Sequence, residues 1–165
     1  MEDPTCTTQQ DLSVPAIAGG EPADLDEIRA LLESVGLAAD GVTDHLGGFL
    51  VVREGSRIVA AAGLEDHGSA GLLRSVAVTP DRRGRGLAAQ LVRILIARSQ
   101  ALGHTALYLR TATAEQYFAR FGFRRVEQAD VIPAVLQSAQ FQGGWCRSSV
   151  IMAVGFESNT PRKED

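Results

Sequence analysis

The stretch LLRSVAVTPDRRGRGLAAQLVRILIA, residues 72–97, decides the reading of the fold. Its first seven residues form an apolar, Val-rich run that reads as a strand, and Pro80 ends it. Gly84 and Gly86 then open a long amphipathic helix, with Leu87, Leu91, Ile94, Leu95 and Leu102 expected on its buried side and Gly103 as its stop. A helix start exposes backbone N–H groups without intrahelical partners and carries the positive end of the macrodipole. The strand–turn–helix junction is therefore a ready anion site. Glycine lets an anion approach the backbone closely, and Arg82, Arg83 and Arg85 add positive charge around it.

Upstream, residues 49–53 and 57–64 are two more apolar, β-branched runs separated by a turn at Glu54-Gly55-Ser56. With residues 72–78 they read as an antiparallel meander. Before them, Leu25, Ile28, Leu31, Leu32 and Val35 recur at helical spacing, predicting a helix from Pro22 or Ala23 to Val35 with Gly36 as its stop. Residues 13–18 suit a first strand, and residues 40–48, with Asp44 and His45, a loop or short helix. Downstream, residues 106–109 read as a strand. Thr111 or Thr113 then caps a helix running to Phe121, Gly122 stops it, and a short strand follows at 123–126. A helix over 130–141 tolerates Pro133 in its first turn, and residues 148–155 supply a last strand. The polar ends, residues 1–12 and 157–165, read as tails, leaving one domain over residues 13–156.

The composition bounds the function. Of 165 residues, 45% are hydrophobic and 22% charged, the ordinary range of a soluble globular chain. The net charge of −4 argues against a broad nucleic-acid surface, which needs clustered positive charge. No apolar run reaches the roughly 18 residues of a membrane span, and the start lacks the basic and apolar regions of a signal peptide, so the expected location is the cytoplasm. Cys6 and Cys146 have neither a disulfide pattern nor zinc spacing, so reduced thiols and no metal are expected.

The glycine turn admits two readings besides a built anion site. One is a plain turn flanked by solvated arginines. The other is a dinucleotide fingerprint, since GRGLAA fits G-x-G-x-x-A; that motif needs a parallel βαβ unit, and Arg110 stands near the end of the second strand, where an acid is usual.

The run RRGRGLAAQLV resembles the acyl-CoA-binding motif of the GCN5-related N-acetyltransferase (GNAT) superfamily, its core being Arg83-Gly84-Arg85-Gly86-Leu87-Ala88. YFARFGF, residues 117–123, resembles the helix and strand that flank the coenzyme tail in that family. The resemblance covers about residues 13–156. It implies an α/β fold with a mixed, largely antiparallel central sheet flanked by helices, in which the strands ending at Val78 and Leu109 splay apart to admit acyl-CoA. It further implies a bulge at Val76, Ala77 and Val78 whose backbone bonds the pantetheine arm, and acetyl-CoA as co-substrate without a metal.

Acetyl transfer to an amine needs a neutral amine, a stabilised oxyanion and a proton for the departing thiolate. The family often places a glutamate two residues before the bulge; here that position is Arg74, which cannot be a general base. A guanidinium instead binds carboxylates bidentately, so Arg74, with Ser75 beside it, is expected to bind an acidic or amino-acid-like acceptor; the competing reading is a structural ion pair. The family's tyrosine acid falls at Phe118. Tyr117 is adjacent but about 100° round the helix, so it reads either as the proton donor or as a packing residue. Glu65, expected just after the second strand of the meander, is the candidate base or a solvated acid, and His45 and His67 are weaker candidates. Thr111 and Thr113 read first as helix caps and second as hydroxyl contacts to the acceptor.

LLRSVAV, LYLRTATAEQYFARFGF, SAQF and SSVIM are similar to small acetyltransferases associated with arsenic resistance, and to amino-acid acetyltransferases of the glutamate type. That similarity implies an α-amino acid or an arsenic-bearing analogue as acceptor, although no cluster of thiols marks an arsenic site. The expected partner is a small-molecule amine, with neither nucleic acid nor membrane involved and a homodimer left open. An acyl-CoA sensor without transferase activity is the alternative class, because both usual acid and base positions are altered.

Overall fold

A computed structural model describes residues 15–142 and 148–157. Most of both expected tails, Cys6 and Cys146 lie outside the described residues.

The chain begins with strand β1 (Ala16–Gly19), a 3-10 turn at Pro22–Asp24 and helix α1 (Leu25–Ser34). Strands β2 (Phe49–Glu54), β3 (Arg57–Asp66) and β4 (Ala70–Val78) follow as the expected meander, antiparallel throughout. Helix α2 (Leu87–Ala101) leads to β5 (Ala106–Thr111), short helix α3 (Glu115–Ala119) and β6 (Arg124–Val126). The helix expected over 130–141 is instead two single turns, α4 (Pro133–Leu136) and α5 (Ala139–Gln142), before β7 (Val150–Gly155). The break falls at Ser138, whose hydroxyl accepts a bond from the Gln140 N–H, and that local bond competes with a continuous helix.

One seven-stranded sheet has the order β1-β2-β3-β4-β5-β7-β6. Every described pair is antiparallel except β4 with β5. A doubly wound parallel sheet, which the dinucleotide reading requires, is thereby excluded. Alternation along β2 explains the layering: Leu50 and Val52 face α2 through Leu87, Leu91 and Leu95, while Phe49 and Val51 face α1 through Ile28, Leu31 and Leu32. Ile94 and Leu102, expected inside, are exposed at 38% and 51%. Val92 and Ser99 take the buried positions, because α2 lies flat on the sheet and its contact stripe is narrow.

A buried hydrogen-bond relay fastens the far end of α2. His104 Nδ1 lies 2.8 Å from Ser99 Oγ, and its Nε2 lies 2.9 Å from Asp66 Oδ1 at the β3–β4 turn. Ser99 and His104 are both buried. His104→Ala therefore leaves a buried hydroxyl without its partner and a void beside Gly71, and a loss of about 2–4 kcal/mol in urea unfolding at neutral pH is expected. The bond from His104 also holds the Asp66 carboxyl below its usual value of 3.8. That contribution is present above this value and is lost as pH falls through the folded-state value.

Candidate active site

The single parallel junction creates the cleft. Pairing of β4 with β5 runs from Ala70 opposite Ala106 to Leu73 opposite Leu109 and stops, while β4 continues to Val78 and β5 to Thr111. Beyond Leu73, β4 has β3 on one side and the cleft on the other. Alternate backbone N–H and C=O groups of residues 74–78 thus face the cleft without a ladder partner from β5. The register against β3 slips at this point: Ala61 lies opposite Ala77 but Gly63 opposite Arg74. Two residues of β4, Ser75 and Val76, therefore oppose Ala62, and Ser75 has a φ of 57°. The bulge begins at Ser75, ahead of the Val76, Ala77 and Val78 expected from the sequence. A hydroxyl-bearing residue in the left-handed region is strained, and such strain re-aims the backbone at the cleft wall.

The cleft encloses about 690 Å³. Its walls are residues 73–78 of β4, residues 109–114 at the end of β5 and just beyond it, Tyr117 and Phe118 of α3, residues 35–38 after α1, and Gln140. Arg83 and Ala88 close the end nearest α2. Gly84, Arg85 and Gly86 stand exposed at the mouth, whereas the Leu87 side chain is in the core and only its backbone faces the turn.

That mouth has the properties of an anion site. Gly84 and Gly86 have φ of 78° and 77°, and a Cβ on either would meet open space, so the backbone is accessible. The first intrahelical bond of α2 runs from the Gln90 N–H to the Gly86 carbonyl, leaving the preceding amides at the helix start for a ligand. The three arginines divide the work. Arg82 donates to Glu54 at 2.6 Å and to Asp81, and Asp81 also takes two bonds from Arg57, so Arg82 is a tether to the β2–β3 hairpin. Arg83 and Arg85 are exposed and have no partner among the described residues.

The acceptor end differs from expectation. Glu65 lies inside β3, not after it, and is sealed from solvent. Its Oε2 accepts from Arg74 Nη1 at 2.9 Å, and its Oε1 lies 3.0 Å from His67 Nε2 and 3.3 Å from His45 Nε2. Arg74 also donates from Nε to the Ser75 hydroxyl at 3.0 Å and from Nη2 to the Asp40 carbonyl at 2.5 Å. Burial by itself raises the Glu65 carboxyl, but bonds from Ser138 and Arg74, together with the charges of Arg74 and His45, hold it below the usual value. Glu65 is therefore an ionised partner of Arg74 that does not line the cleft, which removes it from the position of a base. Arg74 borders the cleft by its backbone, while its side chain is sealed as the other half of that buried pair.

The remaining expected residues gather at the same cleft. Thr111 Oγ1 accepts from the Ala114 N–H at 3.0 Å, fixing the entry to α3, and Thr113 lines the wall exposed. Tyr117 packs edge-on against Phe118 and Phe121, and burial raises its phenol so that it keeps its proton. Sequence reasoning did not place Arg110 here. It stands on the opposite wall from Arg74, with Nε and Nη2 on the Ser149 hydroxyl and Nη1 on the Gln140 carbonyl. Its only signal was a charge at the end of an apolar strand. The loop 35–38 carried none. Among the described residues, no group of three His, Cys, Asp or Glu is placed to hold a metal, and no helix is long and apolar enough to cross a membrane.

Residues 45–125 match the model of the acetyltransferase (GNAT) domain. Similar solved structures share the fold. N-acetylglutamate synthase from Neisseria gonorrhoeae, complexed with coenzyme A and N-acetyl-glutamate, is 17% identical with a TM-score of 0.72; 86% of this chain is covered, but only 35% of that one. Rv2747 from Mycobacterium tuberculosis, solved in complex with CoA, is 19% identical over 86% of this chain and 99% of its own, with a TM-score of 0.72. The ribosomal-protein-S18-alanine N-acetyltransferase from Escherichia coli is 17% identical over 92% of this chain and 100% of its own, with a TM-score of 0.69. No curated protein sequence matches the chain.

Proposed function

We propose that this chain, with an acetyltransferase (GNAT) domain match across residues 45–125, transfers an acetyl group from acetyl-CoA to the amine of a small acceptor bearing an anionic group. The acceptor is an α-amino acid or an arsenic-bearing analogue, and the reaction is a direct transfer in the cytoplasm. One observation carries the reading: the cleft opens at the bare start of α2 and is lined by Arg74, Arg83 and Arg110 with no carboxylate among its described walls. Two solved neighbours of low identity support it, one holding coenzyme A with N-acetyl-glutamate and the other CoA.

Bound acetyl-CoA supplies an activated acyl carbon and a thiol leaving group; the chain's residues hold and orient. The amides at the start of α2, with Arg83 and Arg85, take the pyrophosphate. The cleft-facing backbone of Val76, Ala77 and Val78 offers an extended partner a strand edge to pair with. Tyr117, kept protonated by burial, donates a proton to the departing sulfur. The Arg74 guanidinium, held by Ser75, Glu65 and Asp40 and sealed behind the cleft wall, acts on the acceptor's anionic group through its charge, while Ser75, Thr111 and Thr113 contact its polar atoms. With Glu65 sealed away, the amine loses its proton to solvent.

A thiol-release assay on a panel of amino acids, their amides, arsenic-containing analogues, aminoglycosides and polyamines tests this. An acid is expected to outperform its own amide by about 10-fold or more in kcat/KM, the worth of one charge-assisted bond. Equal rates for acid and amide remove the anionic acceptor. Binding of acetyl-CoA without thiol release from any amine favours the second reading, an acyl-CoA sensor, which is supported by the lack of a carboxylate or histidine among the described wall residues of the cleft.

A further inference from the structure

With 20 acidic side chains against 16 basic ones, the chain has carboxylates enough to pair its arginines, and it pairs several: Arg53 with Asp24, Arg57 and Arg82 with Asp81, and Arg125 with Glu115. Around the opening of the cleft it does not. Arg83 and Arg85 at the glycine turn, Arg93 on α2 and Arg120 just after α3 are all exposed, and none has a carboxylate partner among the described residues.

Arg93 and Arg120 flank one seam. Gly86 and Arg93 are seven residues apart, two helical turns or about 10 Å, and so share a face of α2. Ala89 lies between them, and its small side chain leaves that face low from the glycine turn to the guanidinium. The Arg93 guanidinium lies 5.6 Å from the centroid of the Phe121 ring, a cation–π contact that fixes it at the α3 side of the helix. Phe121 packs in turn on Tyr117 of the cleft wall, and Arg120 is its neighbour in the chain. Burial raises the Tyr117 phenol while the charges of Arg93 and Arg120 oppose the rise, so both cations stand within electrostatic reach of the same wall.

Coenzyme A carries three phosphates. The α2 amides with Arg83 and Arg85 account for the pyrophosphate, and the remaining phosphate is a ribose monoester with a charge near −2 at neutral pH. Once the pantetheine arm enters the cleft, the nucleotide end has to leave the turn along its outside. On the hairpin side Arg57 and Arg82 are already occupied by Glu54 and Asp81, whose carboxylates would meet a phosphate there. The seam between α2 and α3 offers two cations and no acid.

We propose that Arg93 and Arg120 form a second anion subsite that takes the ribose 3′-phosphate, so that the chain distinguishes coenzyme A from its 3′-dephospho form. The inference rests on the acyl-CoA reading above and adds to it the residues that read the nucleotide end.

Titration calorimetry of the full chain with CoA and with 3′-dephospho-CoA tests the subsite without any acceptor. Wild-type protein is expected to bind CoA about 10-fold or more tightly than the dephospho form, the worth of one charge-assisted bond. Arg93→Ala and Arg120→Ala should each weaken CoA several-fold and leave 3′-dephospho-CoA within about twofold, and the double variant should bind the two ligands alike. Both sites are exposed and alanine suits a helix, so the variants are expected to fold. Equal affinity of wild type for the two ligands, or a preference for CoA that survives in the double variant, overturns the subsite and leaves the pyrophosphate turn standing. A wild-type protein that binds neither ligand overturns the acyl-CoA reading, and the subsite with it.

Discussion

Gly86→Val is expected to abolish acetyl-CoA binding while leaving a folded protein. Gly86 caps α2 with φ 77° and ψ 13°, a left-handed conformation that costs an ordinary residue about 1–2 kcal/mol and a β-branched one more. A Cβ there would meet nothing within 4 Å, so the cost is backbone strain and not a clash. The chain relieves that strain by rotating the peptides on either side, and these peptides carry the amides that face the anion. Each charge-assisted bond to a phosphate oxygen is worth about 1.5–3 kcal/mol, so losing two of them weakens binding by at least about a hundredfold. The hydrophobic seat of α2, built from Leu87, Leu91, Val92 and Leu95, is untouched. In thermal melts, wild-type protein at about 100 times the dissociation constant gains about 2.7 kcal/mol from the ligand, and the variant should gain about 0.4 kcal/mol or less while its ligand-free midpoint falls by only a few degrees. A ligand-induced shift that survives in Gly86→Val would take the pyrophosphate away from this turn.

Much of this was legible because the strands and the coenzyme turn are local. The meander and the glycine turn are each encoded within a few residues, in apolar runs and in glycines that need positive φ, whereas the splay between Val78 and Leu109 was implied by the family resemblance. The division among the three arginines was not legible. Arg82, Arg83 and Arg85 look alike in the sequence, and only the hairpin residues Glu54 and Arg57 decide that Arg82 is a tether. The acceptor end was least legible, for the same reason. Glu65 and Arg74 are nine residues apart, and each reads as a plausible site residue. The β3–β4 register places them side by side under Ser138, where the contact turns two candidates into one pair. Ile94 and Leu102 show the complementary failure: helical spacing gives a face, but the width of the buried stripe depends on how α2 sits on the sheet.

The buried pair also makes a stability prediction with a distinctive sign. In the wild-type protein the Glu65 carboxyl titrates below its usual 4.5, so its contribution is fully present above that value and is lost as pH falls through the folded-state value. Arg74→Met removes the bond and the charge that hold the carboxyl down, leaving burial, which raises it, opposed by Ser138 and His45. With the folded-state value now above the unfolded one, the order reverses: the carboxyl is tolerated when protonated, and the cost grows as pH rises past 4.5 towards neutrality. Breaking one side of a buried ion pair costs about 3–5 kcal/mol, so a fall in midpoint of roughly 10 °C is expected at neutral pH. Urea unfolding of wild type and variant should show this gap narrowing at about pH 5. Replacing both partners, Glu65→Met with Arg74→Met, should recover most of the loss, since two apolar side chains leave no buried charge to neutralise. A gap that stays constant with pH would mean that Glu65 is not an ionised, sealed partner of Arg74. The double replacement should still not restore acceptor recognition. Stability and acceptor binding would then part at the same two residues, which separates a pair kept for holding the fold from one kept for placing positive charge behind the cleft wall.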